Sequence, residues 1–133
     1  MTKQSSDLLK DIHNQAFDEK SISSDPMEQF SHWFADAIRF EPGEAGAMVL
    51  STADLRGNVS ARMVLMKGTD KGGFLFFTNY QSRKGVHLAI NPRAALTFHW
   101  NVLERQVRVE GMVRKVSRKE SVAYFNSRPF DSR

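Results

Sequence analysis

Apolar and polar positions along this chain pass from helical spacing in the first third to mostly short strand-like runs after it. Met27, Phe30, Phe34, Ala37 and Ile38 recur at helical spacing and predict one apolar helix face over about three turns. Asp25-Pro26-Met27-Glu28 is a suitable start: Asp25 can cap, Pro26 fits the first helical position and Glu28 stands at the capping-box position. Glu41 to Gly46, rich in Gly and Pro, ends that helix.

After Gly46 the pattern predicts strands at Ala47 to Thr52, Val59 to Lys67, Phe74 to Asn79, Ala94 to Trp100 and Arg105 to Val116. Turns are expected at Asp54 to Asn58, Gly68 to Gly73 and Asn101 to Glu104. A short helix follows Ser82 and stops at Asn91-Pro92, and Ser117-Arg-Lys-Glu120 repeats the capping-box spacing, predicting a last helix through Phe125. Short strands joined by tight turns favour an antiparallel barrel or sandwich, mainly β with flanking helices. Residues 1–24 are polar without a sustained period and read as a mobile tail with one helical turn around Leu8 to Ala16, leaving residues 25–133 as the folded domain.

Composition narrows the class. The 133 residues, 41% hydrophobic with ten Phe, suffice for one packed core. The absence of Cys excludes disulfides, thiolate metal ligands and a Cys nucleophile. No run approaches the about 20 apolar residues of a membrane span, and Met1-Thr-Lys-Gln-Ser-Ser6 has no apolar signal region behind it, so a cytoplasmic protein is expected. Residues 1–60 carry five Lys/Arg against ten Asp/Glu, and residues 61–133 fourteen against five. Positive charge concentrated in the later part points to anionic partners there.

Four segments could carry chemistry. Ser82-Arg83-Lys84 stands between an aromatic strand and a helix start, where free N–H groups and two cations suit a phosphate; a solvated basic turn accounts for it equally well. Arg62-Met63-Val64-Leu65-Met66-Lys67 is a strand bracketed by cations, and by itself reads as a buried strand with solvated ends. In a flat strand residues five apart face opposite sides, so Arg62 and Lys67 would not meet one group unless the strand bulges. Arg105 to Glu110 alternates, with Gln106, Arg108 and Glu110 on one face: an ordinary half-exposed strand, or a glutamine aimed at a heterocycle edge. Tyr124, Arg128 and Ser132 recur at four-residue intervals and are all phosphate donors, though a helix end with a dipole-favoured Arg explains them too. His13, His32, His87 and His99 have no metal spacing and read as surface or packing residues, and no phosphate-binding glycine loop occurs.

Together, Arg62 to Lys67, Phe77-Thr78-Asn79, Ser82-Arg83-Lys84, Asn91-Pro92-Arg93, Leu103-Glu104-Arg105-Gln106 and Tyr124 to Ser132 resemble, in order and spacing across residues 25–132, the pyridoxine/pyridoxamine 5′-phosphate oxidase family. The resemblance implies a split β-barrel binding FMN at a homodimer interface. It assigns Arg62, Met63, Val64, Leu65, Met66, Lys67, Phe77, Thr78, Ser82, Arg83, Lys84 and Gln106 to the flavin, with Arg83 and Lys84 on its phosphate. Lys67, Tyr124, Arg128 and Ser132 would hold the phosphate of pyridoxine or pyridoxamine phosphate, and no side chain is assigned as catalytic acid or base. In such enzymes the flavin takes a hydride from the substrate, oxygen reoxidises it, and the products are pyridoxal phosphate and peroxide.

Two departures qualify the implied activity. The family continues past the Ser-Arg-Pro-x-Asp-Ser motif with a Trp near the flavin and an Arg-x-His element over the substrate, whereas this sequence ends at Arg133. The family's Arg-Arg-x-Tyr substrate segment falls around Leu9 to Ile12, where Lys10 alone keeps a positive charge. Apolar surface and sheet edges are then expected to lie open, with weaker FMN binding and oxidase turnover in greater question than flavin binding. A non-catalytic FMN- or pyridoxal-phosphate-binding module is the alternative, and a nucleic-acid-binding barrel with aromatic stacking strands ranks below both.

Overall fold

The computed structural model describes residues 23–70, 72–77, 83–116 and 120–124, with side chains at all of these but 83–85, 89 and 120–124. The expected tail and its helical turn around Leu8 to Ala16 lie outside the described residues, apart from Ser23 and Ser24. The chain divides into two compact units, one reaching to Ala45 together with His99–Gln106, the other comprising Gly46–Phe98 and the chain from Val107.

The first unit is built on helix α1, Pro26–Phe40. Asp25 caps it, its carboxylate accepting the Met27 N–H at 3.0 Å, and Pro26 sits in the first turn. The side chain that reaches back is Gln29, which accepts the Ser23 N–H at 2.7 Å, one residue beyond the expected Glu28. Phe30, Ala37 and Phe40 are buried, with Phe30 stacked on Phe34 at 5.5 Å and tilted against Trp100 at 6.0 Å. Ile38, expected on that face, is instead 64% exposed: the buried stripe runs through Phe40, leaving Ile38 a quarter-turn or more outside it.

Polar contacts fasten the Asn101–Glu104 turn to this helix. The Glu41 carboxylate accepts the N–H groups of Val102 and Leu103 at 3.3 and 2.8 Å, and the Trp100 indole N–H donates to the Ala45 carbonyl at 3.0 Å. The Arg105 guanidinium lies 4.5 Å from the Trp33 ring and donates to Asp36 at 2.8 Å. Glu104 closes the turn in the left-handed region at φ 56°.

The second unit is the body of a six-stranded antiparallel barrel, the end of β4 at His99 and Trp100 and the start of β5 at Arg105 and Gln106 being counted with the first unit. Its strands are β1 (Ala47–Ala53), β2 (Val59–Asp70), β3 (Gly73–Phe77), β4 (Arg93–Trp100), β5 (Arg105–Lys115) and β6 (Glu120–Tyr124), in the closed order β1-β2-β3-β6-β5-β4. Alternation sets the interior: Met48, Leu50 and Thr52 of β1, Phe74 and Phe76 of β3, Leu96 and Phe98 of β4, and Val107, Val109 and Val113 of β5 are buried. Helix α2, Arg83–Ile90, lies against β1 and β2.

Two expectations change here. Glu120 to Tyr124 is strand β6, not helix: it fills the slot between β3 and β5, Phe76 pairing with Ser121 and Val113 with Ala123. Two backbone edges seeking partners outweigh a local capping signal. The sheet also closes, β4 pairing with β1 from Val49↔Thr97 to Thr52↔Ala94, so the expected open sheet edges are absent from this barrel. A smaller difference is that β2 runs on through Gly68, Thr69 and Asp70, which the turn signal had assigned to a loop.

The β1–β2 turn is held by Asp54, whose carboxylate accepts the N–H groups of Arg56 and Asn58 and the Asn58 side-chain amide, all within 3.0 Å. Gly57 turns the chain at φ 89°. The Asn58 side-chain and backbone hydrogen bonds hold the Asp54 carboxyl below its ordinary 3.8. A depressed folded-state value means that the stabilisation is present at neutral pH and is lost as pH falls through that value. Asp54→Ala should therefore lower the melting temperature at pH 7, and the gap to the unmodified protein should narrow on acidification below 3.8 in a pH series of thermal melts.

Candidate functional site

Strand β2 departs from β1, β3, β4 and β5 in having no fully buried residue. None of its twelve residues is buried, and outward-facing Met63 and Leu65 are 62% and 55% exposed. The expectation of a buried strand with solvated ends at Arg62 to Lys67 is thus overturned. Val64 and Met66 stand half-buried towards the interior, while Met63, Leu65 and Lys67 stand outward and Arg62 is exposed. The result is an apolar strip bracketed by cations and open to solvent, the kind of exposed patch that in general marks interaction sites.

The β2–β3 pairing breaks at this place. Met66 pairs with Phe76 but Gly68 pairs with Leu75, leaving Lys67 as the extra residue of a bulge. The Lys67 ammonium lies 4.3 Å from the centre of the Phe77 ring, itself 48% exposed at the end of β3. A cation and a half-open aromatic face are thereby held together where the β2–β3 ladder is irregular. Close backbone packing supports the corner from the other side: the Met66 N–H donates to the Gly46 carbonyl at 2.8 Å.

Arg83 and Lys84 are the first two residues of α2. The helix is tied to β1 by Thr52 Oγ1 and His87 Nδ1, 3.2 Å apart, both residues being buried. His87 is thus the packing histidine that the sequence indicated, but its partnership with Thr52 was not legible, since the two are 35 residues apart. Val86 and Ile90 on the same helix are exposed, at 46% and 51%.

Gln106 is exposed on β5, with Arg108 and Glu110 on the same face and Val107 and Val109 buried, as the alternation predicted. Tyr124 ends β6, its backbone pairing with Gly73 and Met112. Thr78, Ser82, Arg128 and Ser132 lie outside the described residues, as do the side chains of Arg83, Lys84 and Tyr124. Among the described residues no cluster of three or more His, Asp or Glu could hold a metal ion, and no helix is long and apolar enough to cross a membrane.

The family profile described as Pyridoxamine 5′-phosphate oxidase matches residues 34–133. The chain belongs to the pyridoxamine 5′-phosphate oxidase family. The curated pyridoxine/pyridoxamine 5′-phosphate oxidase of Cupriavidus taiwanensis is 55% identical over 130 residues, 98% of this chain and 61% of that protein. The protein of the same name from Bordetella pertussis is 49% identical over 128 residues, again 61% of its length. This chain therefore spans about three fifths of the length of the curated family members it matches.

Among solved structures, PhzG from Burkholderia lata in complex with tetrahydrophenazine-1-carboxylic acid superposes with a TM-score of 0.72 at 27% identity, covering 78% of this chain and 52% of that one. A pyridoxamine 5′-phosphate oxidase-related, FMN-binding protein from Nostoc punctiforme reaches 0.60 at 20% identity over 70% and 48% of the two chains, a likeness of fold. The antiparallel split barrel is the fold that this family member shares with them.

Proposed function

We propose that this chain is the flavin-binding part of an FMN-dependent oxidase acting on pyridoxine or pyridoxamine 5′-phosphate. The observation that carries the reading is strand β2, exposed at apolar Met63 and Leu65 and flanked by Arg62 and Lys67, in a chain 55% identical to an oxidase of that name. The donor set fits FMN. The outward apolar positions of β2 and the open Phe77 ring suit a flat aromatic ring system, and Arg62 and Lys67 suit its polar edges. Arg83 and Lys84, opening a helix that rests on β1 and β2, suit its phosphate. By the family likeness Thr78, Ser82 and Gln106 would complete the flavin contacts.

When bound, FMN would supply hydride acceptance from the substrate and electron transfer onward to dioxygen, with pyridoxal phosphate and peroxide as products. The chain's own part is binding and orientation. Lys67, with Tyr124, Arg128 and Ser132, would hold the substrate phosphate by charge-assisted hydrogen bonds. Lys67, raised on its bulge, would serve both the flavin edge and the substrate. The exposed apolar positions of β2 and α2, including Val86 and Ile90, favour a homodimer in which a second copy covers them.

The test is to incubate the purified chain with FMN, desalt it and record the visible spectrum of the protein peak, then assay peroxide with pyridoxine phosphate. Flavin retained near one per chain with peroxide release is expected. Retained flavin without peroxide favours the non-catalytic binding module, and no retained flavin overturns the proposal. Binding to single-stranded DNA that weakens steeply with salt would instead revive the nucleic-acid reading.

A further inference from the structure

We propose that Thr52 and His87 are positioning residues for the phosphate end of the flavin site, setting where helix α2 presents Arg83 and Lys84. The inference rests on the reading of Arg83 and Lys84 as phosphate ligands.

Thr52 and His87 are the two buried polar side chains among the described residues, 4% and 7% exposed, and they meet each other at 3.2 Å. Thr52 points inward from β1 in the alternating row Met48, Leu50, Thr52. A valine there would serve the packing equally well, so the hydroxyl answers to something else. Its partner Nδ1 belongs to the one described α2 side chain that is both polar and buried, beside Leu88 at 6% exposure. Leu88 packing alone lets a two-turn helix slide or roll over the sheet, because apolar contact has no direction. A buried hydrogen bond does have direction, and breaking it leaves both groups unpaired, so it selects one setting of the helix.

That setting reaches the helix start. Arg83 is four residues before His87, one turn and about 6 Å away along the same side of the helix. Any rotation of α2 about its axis moves His87 and Arg83 together. Phosphate contacts depend steeply on such placement, since a displacement of about 1 Å is enough to cost two orders of magnitude in well-oriented sites. The charged residues close to the pair along the chain are Asp54 and the cations at the start of α2 itself.

The experiment compares FMN with riboflavin, which lacks the phosphate, by fluorescence quenching on the apoprotein. The proteins are the unmodified chain, Thr52→Val, His87→Phe and His87→Asn. Thr52→Val keeps the shape and removes the hydroxyl; His87→Phe fills the space without a hydrogen bond; His87→Asn keeps a polar atom near the place of Nδ1. The expected result is that the preference for FMN over riboflavin falls about tenfold in Thr52→Val and His87→Phe, riboflavin affinity staying within twofold, and that His87→Asn restores most of the preference. A purely structural role would lower apoprotein melting temperature and weaken both ligands alike, and that outcome overturns the inference. Undiminished FMN preference in Thr52→Val overturns it as well. If the unmodified chain shows no preference for FMN, the phosphate reading itself fails and takes the inference with it. Thr52→Val alone decides the case should His87→Phe not fold.

Discussion

Replacing Arg83 and Lys84 together by alanine should weaken FMN binding about 100-fold or more, because each removes a hydrogen bond to a charged group worth about 1.5–3 kcal/mol. Riboflavin binding should stay nearly constant, since neither side chain is assigned to the ring system. The helix itself should persist: alanine is the better helix former, and α2 is anchored further along by Leu88 and by the Thr52–His87 bond. Titration of the apoprotein with both flavins at two salt concentrations checks this. The loss should shrink at high salt, where the cations of the unmodified chain are already screened. Equal losses for FMN and riboflavin would place these cations elsewhere than at the phosphate. FMN affinity unchanged in the double variant would reduce Ser82 to Lys84 to the solvated basic turn that local sequence equally allows.

Phe98→Ala should destabilise the barrel by about 3–5 kcal/mol, the range for truncating a fully buried aromatic ring. Phe98 is entirely buried on β4, and its ring lies 6.1 Å from that of Phe74, also entirely buried, on β3. In the strand order these two strands are separated by β6 and β5 on one side and by β1 and β2 on the other, so the contact spans the barrel interior. The lost term is therefore both transfer of the ring out of water and a void that strands of a closed barrel cannot easily collapse into. Urea unfolding followed by tryptophan fluorescence measures it. A loss is expected at the midpoint with little change in the slope. Phe74→Ala should cost a similar amount, and the double variant less than the sum, because the two rings share one contact. A loss below about 1 kcal/mol would mean that the interior rearranges around the missing ring.

These two outcomes separate the parts of the molecule that bind from those that hold it together. The residues proposed to hold the flavin belong to β2 and to the first turn of α2, whereas Phe74, Phe76, Leu96 and Phe98 form the interior. The bulge at Lys67 is the irregularity in an otherwise regular β2–β3 ladder, and it falls at the one cation that the family likeness gives two roles.

What the sequence determined by itself is whatever depends on near neighbours in the chain. The Asp25 cap, the Pro26 start, the alternation of Val107 and Val109 against Gln106, Arg108 and Glu110, and the end of α2 at Asn91-Pro92 all follow from local sterics, hydrogen bonding and period. The family was legible as well, because its motifs are spaced pieces of linear sequence. Tertiary structure decided the rest. Glu120 to Tyr124 carries a helix-start signal yet forms the strand that fills the gap between β3 and β5, since unpaired backbone on two neighbours outweighs a single cap. Whether β2 is covered could not be read from its composition: Met63 and Leu65 look like core and lie open. The pairing of Thr52 with His87 joins positions 35 residues apart, and only the closing of β4 onto β1 and the docking of α2 bring such groups to one place.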